Sequence, residues 1–287
     1  MKVGIIGGSG LYDFGVGRKH QVSTPYGEPS GAITEITLGS HTLFFLPRHG
    51  QGHRLLPSEV NYRANVFSLK RLGVSALLSV SAVGSLREDI APGHLVLPDQ
   101  YIDFTKGVRP SSFFGQGTVG HVAFADPTCH TLRDFYRDTA RGLGLTVHCG
   151  GTYICIEGPQ FSTRSESHFY RSIPVPNSRI SVIGMTALPE AKLAREAGLC
   201  YQTLAMSTDY DCWNEKEEDV SAVNILEVLL KNVDNAKRWL EASFSETAAG
   251  PFPSCRSQCR ELMTRAVVTK TEFWSPAAKE ALSVVLN

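Results

Sequence analysis

No sign of charge dominates this sequence: 28 Lys and Arg stand against 28 Asp and Glu, for a formal net charge of +0 at pH 7. Nucleic-acid binding normally shows as a basic excess, so none is expected, and small-molecule chemistry or protein contacts are the better expectation. There is no run of about 18 apolar residues, so no membrane span is implied. The opening residues Met1-Lys-Val-Gly-Ile-Ile-Gly7 are too few and too glycine-rich for a secretory signal, and a cytoplasmic location is expected. Internal repeats, low-complexity tracts and linkers are also missing, so residues 1–287 read as a single domain. The seven cysteines (129, 149, 155, 200, 212, 255 and 259) are odd in number and scattered, which fits reduced thiols better than a disulfide framework. Cys255 and Cys259 lie four apart with no His or second Cys pair following at zinc-finger spacing. Thiols one helical turn apart, packed on a partner element, are expected there, with a metal or a disulfide as the lesser alternative. No metal site is expected.

What is present is a core-forming composition, 42% hydrophobic and 20% charged, arranged as strands alternating with helices. Val3–Gly7 reads as a first interior strand. Ala32–Leu38 and His41–Leu46 form a hairpin on the two-residue turn Gly39-Ser40. A helix over Ser58–Leu72, stopped by Gly73, precedes the strand Ala76–Val80 and a small loop, Ser81–Ser85. Strands His94–Leu97 and Tyr101–Phe104 lead to an exposed Gly-rich loop over Arg109–His121. A helix over Cys129–Gly142 is followed by one longer strand, Thr146–Glu157, and by a helix with Ser162 or Thr163 as N-cap and Glu166 in its first turn. The strand Arg179–Thr186, the helix Glu190–Ala197 opened by Pro189, and the strand Leu199–Met206 come next. A long amphipathic helix from Val220 to about Leu240, a weaker segment Cys255–Val268 and Pro276–Leu286 close the chain. This alternation predicts an α/β fold with helices on both faces of a mostly parallel or mixed sheet.

Ligands in such sheets sit beyond the carboxyl ends of strands, and several ends here carry chemistry. Gly7-Gly-Ser-Gly10 could cradle an anion with backbone amides and the Ser9 hydroxyl, although a plain tight turn fits as well. It is neither a dinucleotide fingerprint nor a Walker A loop, because the third Gly and the Gly-Lys-Ser/Thr are absent. Arg48 beside His49 at the end of the hairpin suits an anion, since a guanidinium binds phosphate in a bidentate fashion, although a surface Arg and a structural His fit equally. Ser81 and Thr186 add hydroxyls at two further ends. Phe161 could be filler before a helix or a platform for a planar ring. Ser207-Thr-Asp-Tyr-Asp211 ends a buried strand in two carboxylates, Asp209 and Asp211, one residue apart; alone these would read more often as a solvated acidic turn, and it is the other strand ends that give them weight. One crevice with an anion pole and an acidic pole suits a nucleophilic phosphate at one end and a basic heterocycle at the other, which points to cleavage of an N-glycosidic bond.

The motifs Gly4-Ile-Ile-Gly-Gly-Ser-Gly10, Pro47-Arg-His-Gly50, Asn61-Tyr-Arg-Ala-Asn65, Gly84-Ser-Leu-Arg87, Glu157-Gly-Pro-Gln-Phe-Ser162, Gly184-Met-Thr186 and Ser207-Thr-Asp-Tyr-Asp-Cys-Trp213 occur in this order. Together they resemble the trimeric purine nucleoside phosphorylase family, in its methylthioadenosine phosphorylase branch. The resemblance spans about residues 2 to 240 and is weaker over the last 45 or so. It implies a three-layer α/β/α sandwich with a central mixed sheet. It also implies a cytoplasmic homotrimer working in purine and methionine salvage, with no cofactor and inorganic phosphate as co-substrate. The implied reaction is phosphorolysis of S-methyl-5′-thioadenosine to adenine and 5-methylthioribose 1-phosphate.

Carried onto this chain, the resemblance implies phosphate held by Ser9, Arg48, His49, Ser81 and Thr186. Asp209 would support protonation at purine N7 and Asp211 would accept from the 6-amino group. Phe161 would pack on the base with Ser162 nearby, Met185 would lie under the ribose, and Ala82 joins these substrate contacts. His121 would reach a neighbouring subunit's 5′ pocket, beside that subunit's Ala222 and Ile225. Family members acting on 6-oxopurines carry Asn in the acidic pair, so a carboxylate favours adenine. Other readings are phosphorolysis of adenosine or inosine, a calcium-dependent nucleoside hydrolase using water, and a nucleotide-binding module without turnover.

Overall fold

The computed structural model describes residues 1–11, 14–215, 222–245 and 252–287, without the side chains of 222–227 and 264. From the start of the chain come β1 (Lys2–Gly7), β2 (Arg18–His20), β3 (Ile33–Leu38), β4 (His41–Pro47), α1 (Tyr62–Arg71), β5 (Ala76–Ser85), β6 (Leu95–Leu97) and β7 (Gln100–Phe104). The next elements are α2 (His130–Gly142), β8 (Val147–Cys149), β9 (Thr152–Ile156), α3 (Arg164–Ser172), β10 (Ile180–Gly184) and α4 (Ala187–Glu196). The chain ends with β11 (Cys200–Asp209), α5 (Ala222–Phe244), α6 (Cys259–Thr264) and α7 (Pro276–Val285).

Alternating side chains put apolar groups on both faces of the sheet. Val3, Ile5, Leu43, Phe45 and Leu78 face α2 and α5, packing on Leu132, Tyr136, Val233, Trp239 and Phe244. Ile6, Phe44, Leu46 and Leu77 face the other way, toward Val66 and Phe67 of α1, Leu193 of α4 and Leu282 of α7. The result is a three-layer α/β/α sandwich with a mixed central sheet. Each of these fully covered side chains contributes roughly 1.5–3 kcal/mol of transfer free energy. Local signals agree with this packing. Asn61 caps α1 by accepting from the Ala64 N–H, and Gly73 follows its last turn at φ +84°. Thr163 and Glu166 form a reciprocal capping box on α3.

The sheet forks at β5. One edge of β5 pairs in parallel with β11 from Ala76↔Cys200 to Gly84↔Asp209. The other edge pairs in parallel with β1 only as far as Ser79, and then antiparallel with β10 at Gly84 and Ser85. Between Ser79 and Gly84 the strands diverge, and a cavity opens there. The two branches, β10-β9-β7 and β11-β6-β8, are joined where β6 runs on into β7 and β8 into β9.

Four local expectations need correction. Ser81–Ser85 is not a loop, since β5 continues to Ser85 because β11 supplies ladder partners along it. Thr146–Glu157 is not one strand. Gly150 and Gly151 take φ +82° and +91°, and a Cβ on Gly151 would lie 2.1 Å from Ser181 Oγ, so the chain turns there and changes partners. Helix α1 starts at Tyr62, after turns over 57–60, rather than at Ser58. In the segment expected to be an exposed loop, Arg109 and Phe113 are buried. The predicted start of the long helix at Val220 lies outside the described residues.

Candidate active site

A cavity of about 300 Å³ fills the fork and is lined at one end by Gly8, Ser9, Arg48, His49, Ser81 and Thr186. Arg48 is fully buried. Its Nε and Nη2 donate to Glu190 Oε2 and Oε1 at 2.8 and 3.1 Å, and Nη2 also donates to Ser79 Oγ at 2.8 Å. Its Nη1 donates at 3.0 Å to the carbonyl of Val80, a residue in the stretch where β5 has left β1 and not yet met β10. A guanidinium has five N–H donors, so one on Nη1 is left over for a ligand in the cavity. Burial opposes the charge of Arg48, but the Glu190 carboxylate outweighs it and the group stays cationic. Gly8 is required here by close approach, because a Cβ would lie 2.6 Å from Val80 O and 2.9 Å from Arg48 Nη1.

His49 is positioned by Nδ1, which lies 2.8 Å from Leu55 O. A carbonyl can only accept, so Nδ1 carries the hydrogen and Nε2 of the neutral ring is an acceptor. Burial, reinforced by the neighbouring Arg48 charge, lowers the imidazole pKa to about 4, so the ring is neutral at pH 7. Ser81 Oγ and Thr186 Oγ1 lie 3.4 Å apart and bring β5 and the end of β10 to one point. Three hydroxyls (Ser9, Ser81 and Thr186), one guanidinium N–H and a ring acceptor make a pocket matched to a partly protonated oxyanion.

The opposite end is acidic. Asp209 Oδ2 accepts from Thr208 Oγ1 and Oδ1 accepts from the Asp211 N–H, both at 2.7 Å. Burial nevertheless raises the Asp209 carboxyl to about 6, with these two hydrogen bonds opposing the rise. Asp211 sits beyond the strand at φ +52°, and burial raises its carboxyl too, against the pull of the nearby Ser167 and Ser162 hydroxyls. Its Oδ2 is buried without a hydrogen-bond partner of acceptable geometry, as is Ser162 Oγ. An orphaned carboxylate oxygen costs free energy until a donor arrives, so an N–H presented at this end would be favoured. The stretch is held from both sides. Trp213 Nε1 donates to Ser85 O at 2.8 Å, and Asn232 Nδ2 of α5 donates to Ser207 O at 2.8 Å.

Residues 2–245 match the model of the phosphorylase superfamily. The chain belongs to this superfamily. An S-methyl-5′-thioadenosine phosphorylase from Geobacter sulfurreducens is 48% identical over 288 residues, covering 99% of this chain and 98% of that protein. A methylthioadenosine phosphorylase crystal structure from an antarctic soil metagenomic library superposes with a TM-score of 0.89 at 46% identity, covering 99% of this chain and 98% of the other. The Schistosoma mansoni methylthioadenosine phosphorylase, solved in complex with adenine, gives 0.85 at 36% identity, with 93% and 98% covered.

In this superfamily member the fold brings most of the residues singled out in the sequence to one cavity. Ser9, Arg48, His49, Ser81, Ala82, Phe161, Ser162, Met185, Thr186, Asp209 and Asp211 all line it. His121 does not line it and lies exposed on the segment after the Gly115–Thr118 turn. The side chains of Ala222 and Ile225 lie outside the described residues. Several contributors were not singled out. Thr208 fixes one Asp209 oxygen, His53 stacks on His49 with ring centres 4.3 Å apart, and Leu229 of α5 walls the cavity. Glu190 neutralises Arg48 across 142 residues of sequence, a pairing that only the fold reveals. Arg109 donates from Nη1 to the carbonyls of Met185 and Leu188 at 2.6 and 2.9 Å, and from Nε to Glu157 Oε1 at 2.9 Å, fixing the Met185 segment beneath the cavity. The Gly-Pro-Gln-Phe and Arg-Pro contexts around these residues were visible, but their long-range partners were not.

Proposed function

We propose that this protein is an S-methyl-5′-thioadenosine phosphorylase, a pentosyltransferase that uses inorganic phosphate to release adenine and form 5-methylthioribose 1-phosphate. The observation that carries this reading is the two-ended cavity, with an oxyanion pocket facing a pair of carboxylates that hold a proton and an unpaired acceptor. Full-length similarity to phosphorylases named for this substrate supports it.

In the reaction, phosphate held by Ser9, Arg48, His49, Ser81 and Thr186 attacks the anomeric carbon as the bond to purine N9 breaks. Positive charge spreads over the ribose ring while electrons move onto the purine. Asp209, kept near a pKa of about 6 by burial, delivers or shares a proton at N7. Such general-acid assistance contributes typically about 10²–10⁴-fold. Asp211 accepts from the exocyclic 6-amino group through its unpaired Oδ2. A 6-oxo purine would set lone pair against lone pair there, at a cost of roughly 1–3 kcal/mol. Phe161 and Ser162 flank the base, while Ala82 and Met185 bound the ribose. No cofactor is required on this reading, because protein groups meet the charge at both ends and phosphate is the co-substrate.

The working form is a cytoplasmic homotrimer serving purine and methionine salvage. Each His121, exposed on its own chain, completes the 5′ end of a neighbouring copy's site beside Ala222 and Ile225. No helix among the described residues is long and apolar enough to cross a membrane. The reading is tested by base release from methylthioadenosine, adenosine and inosine, each with and without phosphate. Adenine release that needs phosphate and is fastest with the methylthio substrate is expected. Release without phosphate would assign a hydrolase, and preference for inosine would overturn the roles given to the aspartates.

A further inference from the structure

Far from the cavity, four cysteines from three parts of the chain converge, which the expected packing of two helix thiols does not explain. The Sγ atoms of Cys129, Cys200, Cys255 and Cys259 all lie within 4.8 Å of one another. Cys129 is the N-cap of α2, Cys200 is the first residue of β11, Cys255 lies in the loop ahead of α6, and Cys259 opens that helix. We propose that these four thiols form a tetrathiolate zinc site that fastens the C-terminal segment to the sheet.

Tetrahedral zinc with Zn–S bonds of about 2.3 Å sets its sulfurs about 3.8 Å apart. Cys129 Sγ and Cys255 Sγ are 3.9 Å apart, and the all-against-all proximity suits one shared centre better than two separate pairs. Cys255-Arg-Ser-Gln-Cys259 falls within the C-x(2–4)-C spacing that gives zinc two ligands from one short loop. That loop is tied down by the Arg256 N–H, which donates to Thr131 Oγ1 at 3.0 Å. Ser257 Oγ stands 3.7 Å from Cys129 Sγ as an outer-shell group. Cys129, Cys200 and Cys259 are buried while Cys255 is exposed, which gives a metal its way in.

Binding releases four thiol protons and leaves a centre of net charge −2. A counter-charge is in place. Arg195 is 3% exposed; its Nη2 donates to the Asp126 carbonyl, while its Nε and Nη1 have no hydrogen-bond partner. A buried cation with unmet donors is costly, and a dianionic thiolate centre nearby would offset that cost. The role is structural. Cys200 and Asp209 are the two ends of β11, which puts the centre roughly 30 Å from the acidic pole at about 3.3 Å per residue.

The test is elemental analysis of the purified full-length protein, with Cys255→Ser/Cys259→Ser alongside. About one zinc per wild-type chain and loss of zinc from the variant are expected. If the variant does not fold, cobalt replacing zinc in the wild type should give the thiolate charge-transfer and d–d absorption of tetrahedral cobalt. Alkylation after denaturation with chelator and no reductant should then modify all seven cysteines. Four cysteines that react only after reduction would show two disulfides instead and overturn the proposal. Metal-free protein, iron in place of zinc, or zinc retained by the double variant would overturn it equally.

Discussion

The two ends of the cavity are built on opposite principles. At the oxyanion end Arg48 is fully buried and its donors are spread over Glu190, Ser79 and the Val80 carbonyl, so the group proposed to meet phosphate also ties together the strands at the fork. At the acidic end Asp209 keeps two short local hydrogen bonds and Asp211 keeps an oxygen with no partner. One end is part of the framework, while the other holds unmet polar demand in readiness for a ligand. Substitutions at the first should therefore be felt as lost stability, and at the second as lost chemistry or changed selectivity.

The sharpest way to break this comparison is Glu190→Gln. It leaves the buried Arg48 charge without its counter-charge and should lower unfolding free energy by about 3–5 kcal/mol, read by urea denaturation. Asp211→Asn at the other end should change stability by less than about 1 kcal/mol in the same assay, because it removes an unpaired carboxylate. Equal losses would remove the distinction.

A second test uses pH. The Asp209 carboxyl is raised to about 6, so the folded state holds its proton more tightly than the unfolded chain does. Its favourable contribution is complete below the ordinary value of 3.8 and is lost as pH rises through about 6. Asp209→Asn, which never ionises, should then be more stable than the parent by roughly 1–3 kcal/mol at pH 7 to 8, the side chain being partly open to the cavity. The advantage should vanish below about pH 4. An advantage that grows as the solution is acidified would reverse the sign and refute the burial argument.

Asp211→Asn should also relax base choice. The ratio of kcat/KM for adenosine over inosine should fall by about 1–3 kcal/mol, or roughly 5- to 150-fold. An unchanged ratio would mean that Oδ2 does not read the 6-position. Phe161→Ala should have the smallest effect. Phe161 is 49% exposed at the cavity rim, so stability should stay within about 0.5 kcal/mol, while KM for the nucleoside rises by an amount worth about 0.5–1.5 kcal/mol.

Much of this was legible in the chain because it is local. The hairpin on Gly39-Ser40, the Thr163–Glu166 capping box and the Gly73 stop each depend on residues a few positions apart, and the structure has them as read. Ser9, Thr186, Arg48 and the two aspartates could be picked out because residue type and position at a strand end constrain each other, whereas Ser81 was picked out on a strand end that the fold does not have there, since it lies inside β5. What stayed hidden is long-range. The fork that carries β5 on to Ser85 depends on which strands flank it, and no alternation within 76–85 reports that. Glu190 reads as an ordinary first-turn helix acid until the fold sets it against Arg48. The thiol cluster was missed for the same reason, since, Cys255 and Cys259 excepted, its members are 55 or more residues apart.

The most direct test of the division of labour is the kinetics of Asp209→Asn with methylthioadenosine, alongside direct titration of phosphate binding. kcat is expected to fall by about 10²–10⁴-fold, with phosphate affinity changed no more than about threefold. Turnover near the parent rate with phosphate binding lost would contradict that division, and would move the proton donor and the oxyanion pocket from the ends to which they are assigned.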